Sequence, residues 1–366
     1  MQDYLPACLD SLVVDDPALF AALDIIVVND GSKDKTSAIA HDYAARYPDV
    51  IRVIDKPNGN YGSCVNRGLA EARGVFIKVL DADDTFDTAA FKQFIRRLIE
   101  SEEKNEQVDL FLTNFVYLNA QKEVKRRERF NFCPNTVLGV DNLNKPTSLA
   151  MMQAVAYRTA ILHKLTYRQT EGVSYTDLEW ASYPMAGVRR IYYFPRTLYR
   201  YLAERPGQTM ESARYHVKDL PMRGKVALRM VKELAVEERP GISPFTVRYL
   251  RAFSLFVTNG VYLSAILLHP SQQTASYITT FDNEIKRLNS HYHAYLMREG
   301  LSPSRIYVPY GKIWARTHDV FAWDVRLVRI LLVLALKCEQ ILWFLKGLRN
   351  KFVQKVRTHK KLCNEH

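Results

Sequence analysis

The chain has 366 residues, of which 48% are hydrophobic, 11% aromatic and 25% charged. That balance excludes a disordered, collagen-like or disulfide-framework protein, and at about 100–200 residues per domain the length predicts two or three folded units. With 51 Lys and Arg against 39 Asp and Glu the net charge is +12, which points to an anionic partner without choosing among nucleic acid, membrane surface and nucleotide.

Apolar residues at helical spacing predict a first helix over Tyr4–Val14, ended by Asp15-Asp16-Pro17. Ile25–Val28 is a short β-branched run ending in Asn29-Asp30-Gly31-Ser32, and reads as a strand buried on both faces. A helix over about 34–47, a strand over Val50–Ile54 and a Gly/Asn-rich loop, Lys56–Gly62, follow. A helix over Ser63–Ala72 and a strand over Val75–Leu80 come next, the strand running straight into Asp81-Ala82-Asp83-Asp84. Alternating strands and helices with short connections indicate a doubly wound α/β domain. Further on, the pattern predicts a helix over Ala89–Ser101, a strand over Asp109–Tyr117 and a charged loop or β-edge over Glu123–Arg129. Late strands are expected at Ile191–Phe194 and Leu198–Leu202, after a stretch that is irregular up to Met151–Leu162. Long helices are expected over Met222–Glu237, Phe245–Leu268 and Ala275–Met297. The expected organisation is 1–215, an α/β catalytic unit; 216–322, a helical accessory unit; and 323–366, a basic amphipathic tail.

Three carboxylates within four residues repel one another unless something positive shares the site, and a hard divalent cation bridging a phosphate is one solution. A solvated acidic turn or a cap for the next helix is the alternative. Asp30 ends another expected strand; if the two strands are adjacent, Asp30 and Asp81 line the same sheet edge, where ligands of open α/β sheets bind. Asn58-Gly59-Asn60-Tyr61-Gly62 can be read as a phosphate-cradling loop at a helix start or as a turn required by geometry, since it lacks the spacings of known phosphate loops. Asp34 reads as a helix cap ahead of Thr36. The five cysteines, Cys8, Cys64, Cys133, Cys338 and Cys363, form no CxxC pair and are expected to be reduced.

Taken together, Ile25–Ser32, Asn58–Leu69, Ala72-Arg73-Gly74 and Val79–Asp84 resemble the family-2 glycosyltransferases of the GT-A fold. Ser174–Trp180 is similar to the family's segment that carries the catalytic base. Leu198–Tyr201 with Gly207–Met210 resembles its closing Arg/Tyr stretch. The resemblance covers about 1–212. It implies a GT-A doubly wound sheet followed by a mostly helical C-terminal region, and a metal-assisted, inverting hexosyl transfer from a nucleoside diphosphate, with UDP the expected nucleotide. It further implies that Asp177 is the general base, that Asp83 holds Mg²⁺ or Mn²⁺, and that Asp30, Asn58, Asn66, Asp81 and Arg200 belong to the nucleotide-sugar site. On the residues alone, Asp177 could equally start a helix cap with Thr176, and Arg200 could clamp phosphate or pair with a surface acid. Asn29 and Thr176 stand where the family often has an acid. The family also opens with an apolar strand that is not found ahead of the first helix here, so a start displaced into the family's sequence is expected, with the sheet short of one central strand. A glycosyltransferase-like scaffold without activity and a nucleic-acid-binding protein are the other classes considered. No motif supports the second, and no nucleic acid is expected as a partner.

The charge is unevenly distributed. Residues 326–366 hold ten basic and two acidic residues, net +8, leaving +4 for the first 325. In Arg326–Leu345 the cations border a broad apolar face, as in an interfacial membrane helix, and Lys346–Lys361 adds attraction to anionic lipid at about 1 kcal/mol per basic residue. The alternative is a helix packed on the protein's own core. The longest apolar run in this tail, Ile330–Leu336, is seven residues, well short of the roughly 18 that a spanning helix needs. The N-terminus lacks the pattern of a signal peptide. The expected location is therefore cytoplasmic, peripheral at the inner face of the cell membrane, with a glycan or lipid-linked acceptor. Removing 326–366 should release the protein from anionic liposomes; unchanged co-sedimentation would refute membrane attachment through this segment.

Overall fold

The computed structural model describes residues 1–143, 149–203, 205, 217–235, 241–269 and 271–298. The tail at 323–366, the expected membrane surface at 326–361 and the stretch Gly207–Met210 lie outside them.

The chain opens with helix α1, Leu5–Asp10, and a second short helix, α2, Pro17–Ala21. The residues expected only to end the first helix also start another. Asp16 accepts a hydrogen bond from the Leu19 N–H, and Pro17 sits at the first helical position, where its missing N–H costs nothing. Strand β1, Ile25–Asn29, helix α3, Thr36–Arg46, strand β2, Ile51–Asp55, and helix α4, Tyr61–Glu71, follow. Strands β1 and β2 pair in parallel, Ile25 opposite Ile51 through Asn29 opposite Asp55. They form a two-stranded sheet of their own. Residues 25–28, expected to be buried on both faces, are half-buried.

The main sheet has seven strands. Strand β3 is Phe76–Ile77, β4 is Thr85–Phe86, β5 is Leu110–Leu118 and β6 is Val124–Glu128. Strand β7 is Val137–Gly139, β8 is Val155–Arg158 and β9 is Arg190–Leu202. The order is β3-β8-β5-β9-β4, with β6 added beside β5 and β7 beside β9. Only β5 and β9 run parallel; the other pairings are antiparallel. The fold is α/β as expected, with a mixed rather than uniformly parallel sheet.

β5 is the buried centre, as its near-continuous apolar sequence requires. The two late strands expected around Pro195 are one strand. Phe194 pairs with Thr113 and Thr197 with Asn114, so Pro195 and Arg196 fall in an irregularity where no ladder N–H is needed. The charged stretch at 123–129 is an edge strand, as its exposed charges suit.

Helix α5, Thr88–Glu103, is capped by Asp87, which accepts from the Ala90 N–H; the cap lies beyond the acidic turn. Helices α6, Thr159–Lys164, and α7, Asp177–Ser182, precede β9. Helices α8, Leu220–Glu233, α9, Pro244–Tyr262, α10, Gln272–Leu288, and α11, Ser290–Arg298, come after it. The single helix expected over Ala275–Met297 is broken at Asn289, whose side chain accepts from the Tyr292 N–H at 2.8 Å. Buried side chains from Leu5 to Leu296 form one continuous cluster, so helices α8–α11 share the core of the α/β part.

Phe111 is fully enclosed and meets Phe76, Phe94 and Tyr192 with ring centroids 5.1–5.8 Å apart. Phe111→Ala should cost about 3–5 kcal/mol, read as a lower denaturation midpoint with an unchanged slope.

Candidate functional site

The strand expected over Val75–Leu80 is only Phe76–Ile77, and the site is built at the turn that follows after three intervening residues. The turn closes with the Asp84 N–H donating to the Asp81 carbonyl at 3.0 Å, and its three carboxylates meet three different environments. Asp84 is enclosed, 1% exposed. It accepts from the Tyr199 hydroxyl and from the Leu202 N–H, each at 2.6 Å. The Asp81 N–H in turn donates to the Tyr199 oxygen at 3.2 Å. Tyr199 therefore ties the turn to the last residues of β9. Asp83 pairs with Arg205, whose Nε donates at 2.5 Å. Burial raises the Asp81 carboxyl above the usual carboxylate range, helped by the charge of Asp83 and, less, by that of Asp177. Burial also raises Asp84, with Asp81 and Asp83 adding to it. The buried Cys8 thiol, which donates to the Asp81 carbonyl at 3.7 Å, is pushed up in the same way.

On the β1 side, Asp30 organises the 56–60 loop. Its carboxylate pairs with Lys56 and accepts from the Gly59 N–H at 2.9 Å, while the Asn58 side chain donates to the Asp30 carbonyl at 3.1 Å. Burial works to raise the Asp30 carboxyl, but the bonds from Lys56 and Gly59 outweigh it and hold it below the usual range. Lys56 also reaches the Ser63 hydroxyl. Asn60 adopts φ +69 and caps α4 by accepting from the Tyr61 N–H. With ψ 174 this is a positive-φ extended conformation that is essentially reserved for glycine, so Asn60 is held in strained backbone. Gly62 lies against the segment after α6. A Cβ there would stand 2.0 Å from the Thr170 carbonyl oxygen.

Asp177 is the first residue of α7, half-buried. Thr176 occupies the cap position, but its hydroxyl accepts from the Gln169 amide instead of capping the helix. Burial raises the Asp177 carboxyl, partly offset by backbone N–H groups and Arg223. The approach to α7 is held from α8. Tyr175 takes φ +69, its hydroxyl donates to Asp219 at 3.2 Å, and the Arg223 guanidinium lies 4.2 Å from its ring centroid. Glu179, 0% exposed, accepts from the Thr170 N–H and hydroxyl at 2.8 and 2.7 Å and pairs with Arg229 at 3.3 Å. The turn after β3 thus carries Asp81 and Asp83, and a helix start held by two layers of contacts carries Asp177. The charge of Asp177 also acts, as a smaller cause, to raise Asp81 and the buried Tyr61 hydroxyl.

Residues 2–166 match the family model "Glycosyl transferase family 2". Residues 2–166 are thus similar to the family-2 glycosyltransferases. The chain is 38% identical over 110 residues to the uncharacterized glycosyltransferase EpsJ of Bacillus subtilis, covering 30% of this chain and 29% of that protein. It is 35% identical over 103 residues to the minor teichoic acid biosynthesis protein GgaB of B. subtilis, covering 28% of this chain and 11% of that one. Such matches span about three-tenths or less of those relatives' length. The fold extends further than the sequence likeness. S. aureus TarS 1-349, solved in complex with UDP-GlcNAc, superposes with a TM-score of 0.58 at 18% identity, over 87% of this chain and 85% of that one. The fold is GT-A.

Asp81 and Asp83 share one turn, Asp30 and Asn58 meet at the 56–60 loop, and Asp177, beyond the residues matched by the family model, starts α7. The other two expected residues are engaged elsewhere. The Asn66 side chain accepts from the Gln169 N–H at 2.7 Å and donates to the Gln169 carbonyl and Glu171 at 2.9 and 2.8 Å. It joins α4 to the 169–171 segment. Arg200 is exposed and 3.9 Å from Asp87, the surface pairing of its two readings. Sequence reasoning missed Arg205, Glu179, Arg229 and the anchoring role of Tyr199. For Arg205 the available signal was its position three residues after the strand whose end binds Asp84. Tyr199→Phe should remove the donor to Asp84 and lower stability by about 1–3 kcal/mol, measured as a drop in melting temperature with the nucleotide absent.

Proposed function

We propose that this chain is an inverting glycosyltransferase that moves a hexose from a UDP-sugar to a glycan or lipid-linked acceptor in the synthesis of a cell-surface polysaccharide. The observation that carries the reading is a raised, half-buried carboxylate, Asp177, whose charge also acts on Asp81 at the acidic edge. The complexes of TarS with UDP-GlcNAc and with UDP and the teichoic acid relative support the choice of donor and of acceptor class. Asp177 would take the proton from the acceptor hydroxyl as its oxygen attacks the anomeric carbon. A carboxyl raised by burial is a stronger base than a solvated one. Asp81 and Asp30 would bind the ribose and base of the donor, and Asn58 would hold the loop beside them.

The carboxylates fit a hard divalent cation, because Asp83 already attracts a positive group, the Arg205 guanidinium. Among the described residues no three His, Cys, Asp or Glu side chains converge as a chelating group. Asp83 would therefore hold Mg²⁺ or Mn²⁺ together with donor oxygens, the usual arrangement for such ions. When bound, the cation supplies charge neutralisation for the departing diphosphate.

No helix among the described residues is long and apolar enough to cross a membrane. The basic stretch 326–361 supports peripheral attachment at the inner face of the cell membrane, next to a lipid-linked acceptor. Asp83→Ala and Asp177→Asn should each reduce transfer from UDP-sugars at least about 100-fold, the scale of losing a positioned catalytic group. Turnover of the unmodified enzyme should rise with pH through an ionisation above the ordinary aspartate range. Full activity in Asp177→Asn would overturn the assignment.

A further inference from the structure

The acidic edge contains its own cation. Asp83 and Arg205 are 10% and 14% exposed and joined at 2.5 Å, and the guanidinium carbon lies 5.4 Å from the Tyr4 ring centroid. Asp84 is occupied by Tyr199 and Leu202. The charge of Arg205 also reaches Asp81, where it opposes the rise of that carboxyl. A guanidinium N–H and a divalent cation seek the same lone pairs of a carboxylate oxygen. In a nearly enclosed edge with three carboxylates, one positive group relieves the repulsion and a second, beside the first, would meet it at close range.

We propose that Arg205 is the built-in counter-ion of Asp83 and that a divalent cation binds Asp83 in exchange for it. The proposal rests on the reading of Asp83 as the cation-holding residue. Arg205 is then a positioning residue. It keeps the carboxylates apart and charge-balanced without metal, and it lowers the affinity for a bare cation. The cation alone is a poor competitor, whereas a cation arriving with a diphosphate adds oxygen ligands that favour the exchange.

The test uses the full chain and Mn²⁺ alone, with free Mn²⁺ followed by electron paramagnetic resonance and no nucleotide present. Arg205→Gln should bind Mn²⁺ about tenfold more tightly than the unmodified protein, equivalent to about 1.4 kcal/mol. Adding Asp83→Asn to either background should abolish that binding. Equal affinity in Arg205→Gln and the unmodified chain, with Asp83→Asn still abolishing binding, would overturn the exchange and leave the role of Asp83 intact. Mn²⁺ binding that survives Asp83→Asn would overturn the role of Asp83 and the exchange with it. A second measurement needs no folded variant. In the unmodified protein, titration with diamagnetic Mg²⁺ should shift the Arg205 Nε–H resonance toward the position of a solvated arginine. A resonance unmoved at saturating Mg²⁺ would also refute the exchange.

Discussion

Like-charge repulsion in the turn after β3 is the constraint on which the rest of this site depends. Asp81, Asp83 and Asp84 lie within four residues beyond one short strand, at an edge closed enough that water alone does not screen them. Each carboxylate is answered differently. Asp84 is tied down by a tyrosine hydroxyl and a backbone N–H, Asp83 meets a guanidinium, and Asp81 is left to rise above the usual carboxylate range. This division separates anchoring from chemistry. The group with the most hydrogen bonds holds the turn in place, and the two with fewer remain available to bind.

Asp177, the proposed general base, stands on a different support. Helix α7 is six residues long and could not hold its own first residue still. Its orientation comes from its own Glu179 and from Tyr175 ahead of it, which are held by Arg229 and Arg223 of α8 and by Asp219 just before that helix. The described helices from residue 217 onward therefore reach the proposed base through these contacts. They share the core of the α/β part and prop the segment that presents Asp177. Asn66 and Gly62 brace the same segment from α4, so α4 and α7 are joined by one short stretch, 169–170.

The legible parts of the sequence were those set by local rules. Strands β1, β2 and β5, helices α3, α4 and α5, and the charged edge β6 follow from periodicity and composition. The Asp81–Asp84 turn stood out because so many acids at a strand end demand an explanation. What escaped was decided by contacts far apart in sequence. Pro195 suggested a break, yet the partner strand absorbs it in an irregularity. Ile25–Val28 suggested burial on both faces, yet β1 pairs only with β2 and stays half-buried. Arg200 and Arg205 look alike in sequence. Only the pairing of β9 with β4 decides that one points to Asp87 and the other to Asp83.

The bonds that make the acidic turn tolerable span 115, 118 and 122 residues. During synthesis, the three aspartates therefore exist for more than a hundred residues without the groups that answer them. The turn cannot take its final form by local folding, since its neutralising partners have not yet been made. At synthesis rates of about 5–20 residues per second, that interval lasts roughly 6 to 24 seconds. Closure of β9 onto β5 and β4 is thus both the last act of building the sheet and the moment at which the site becomes a site.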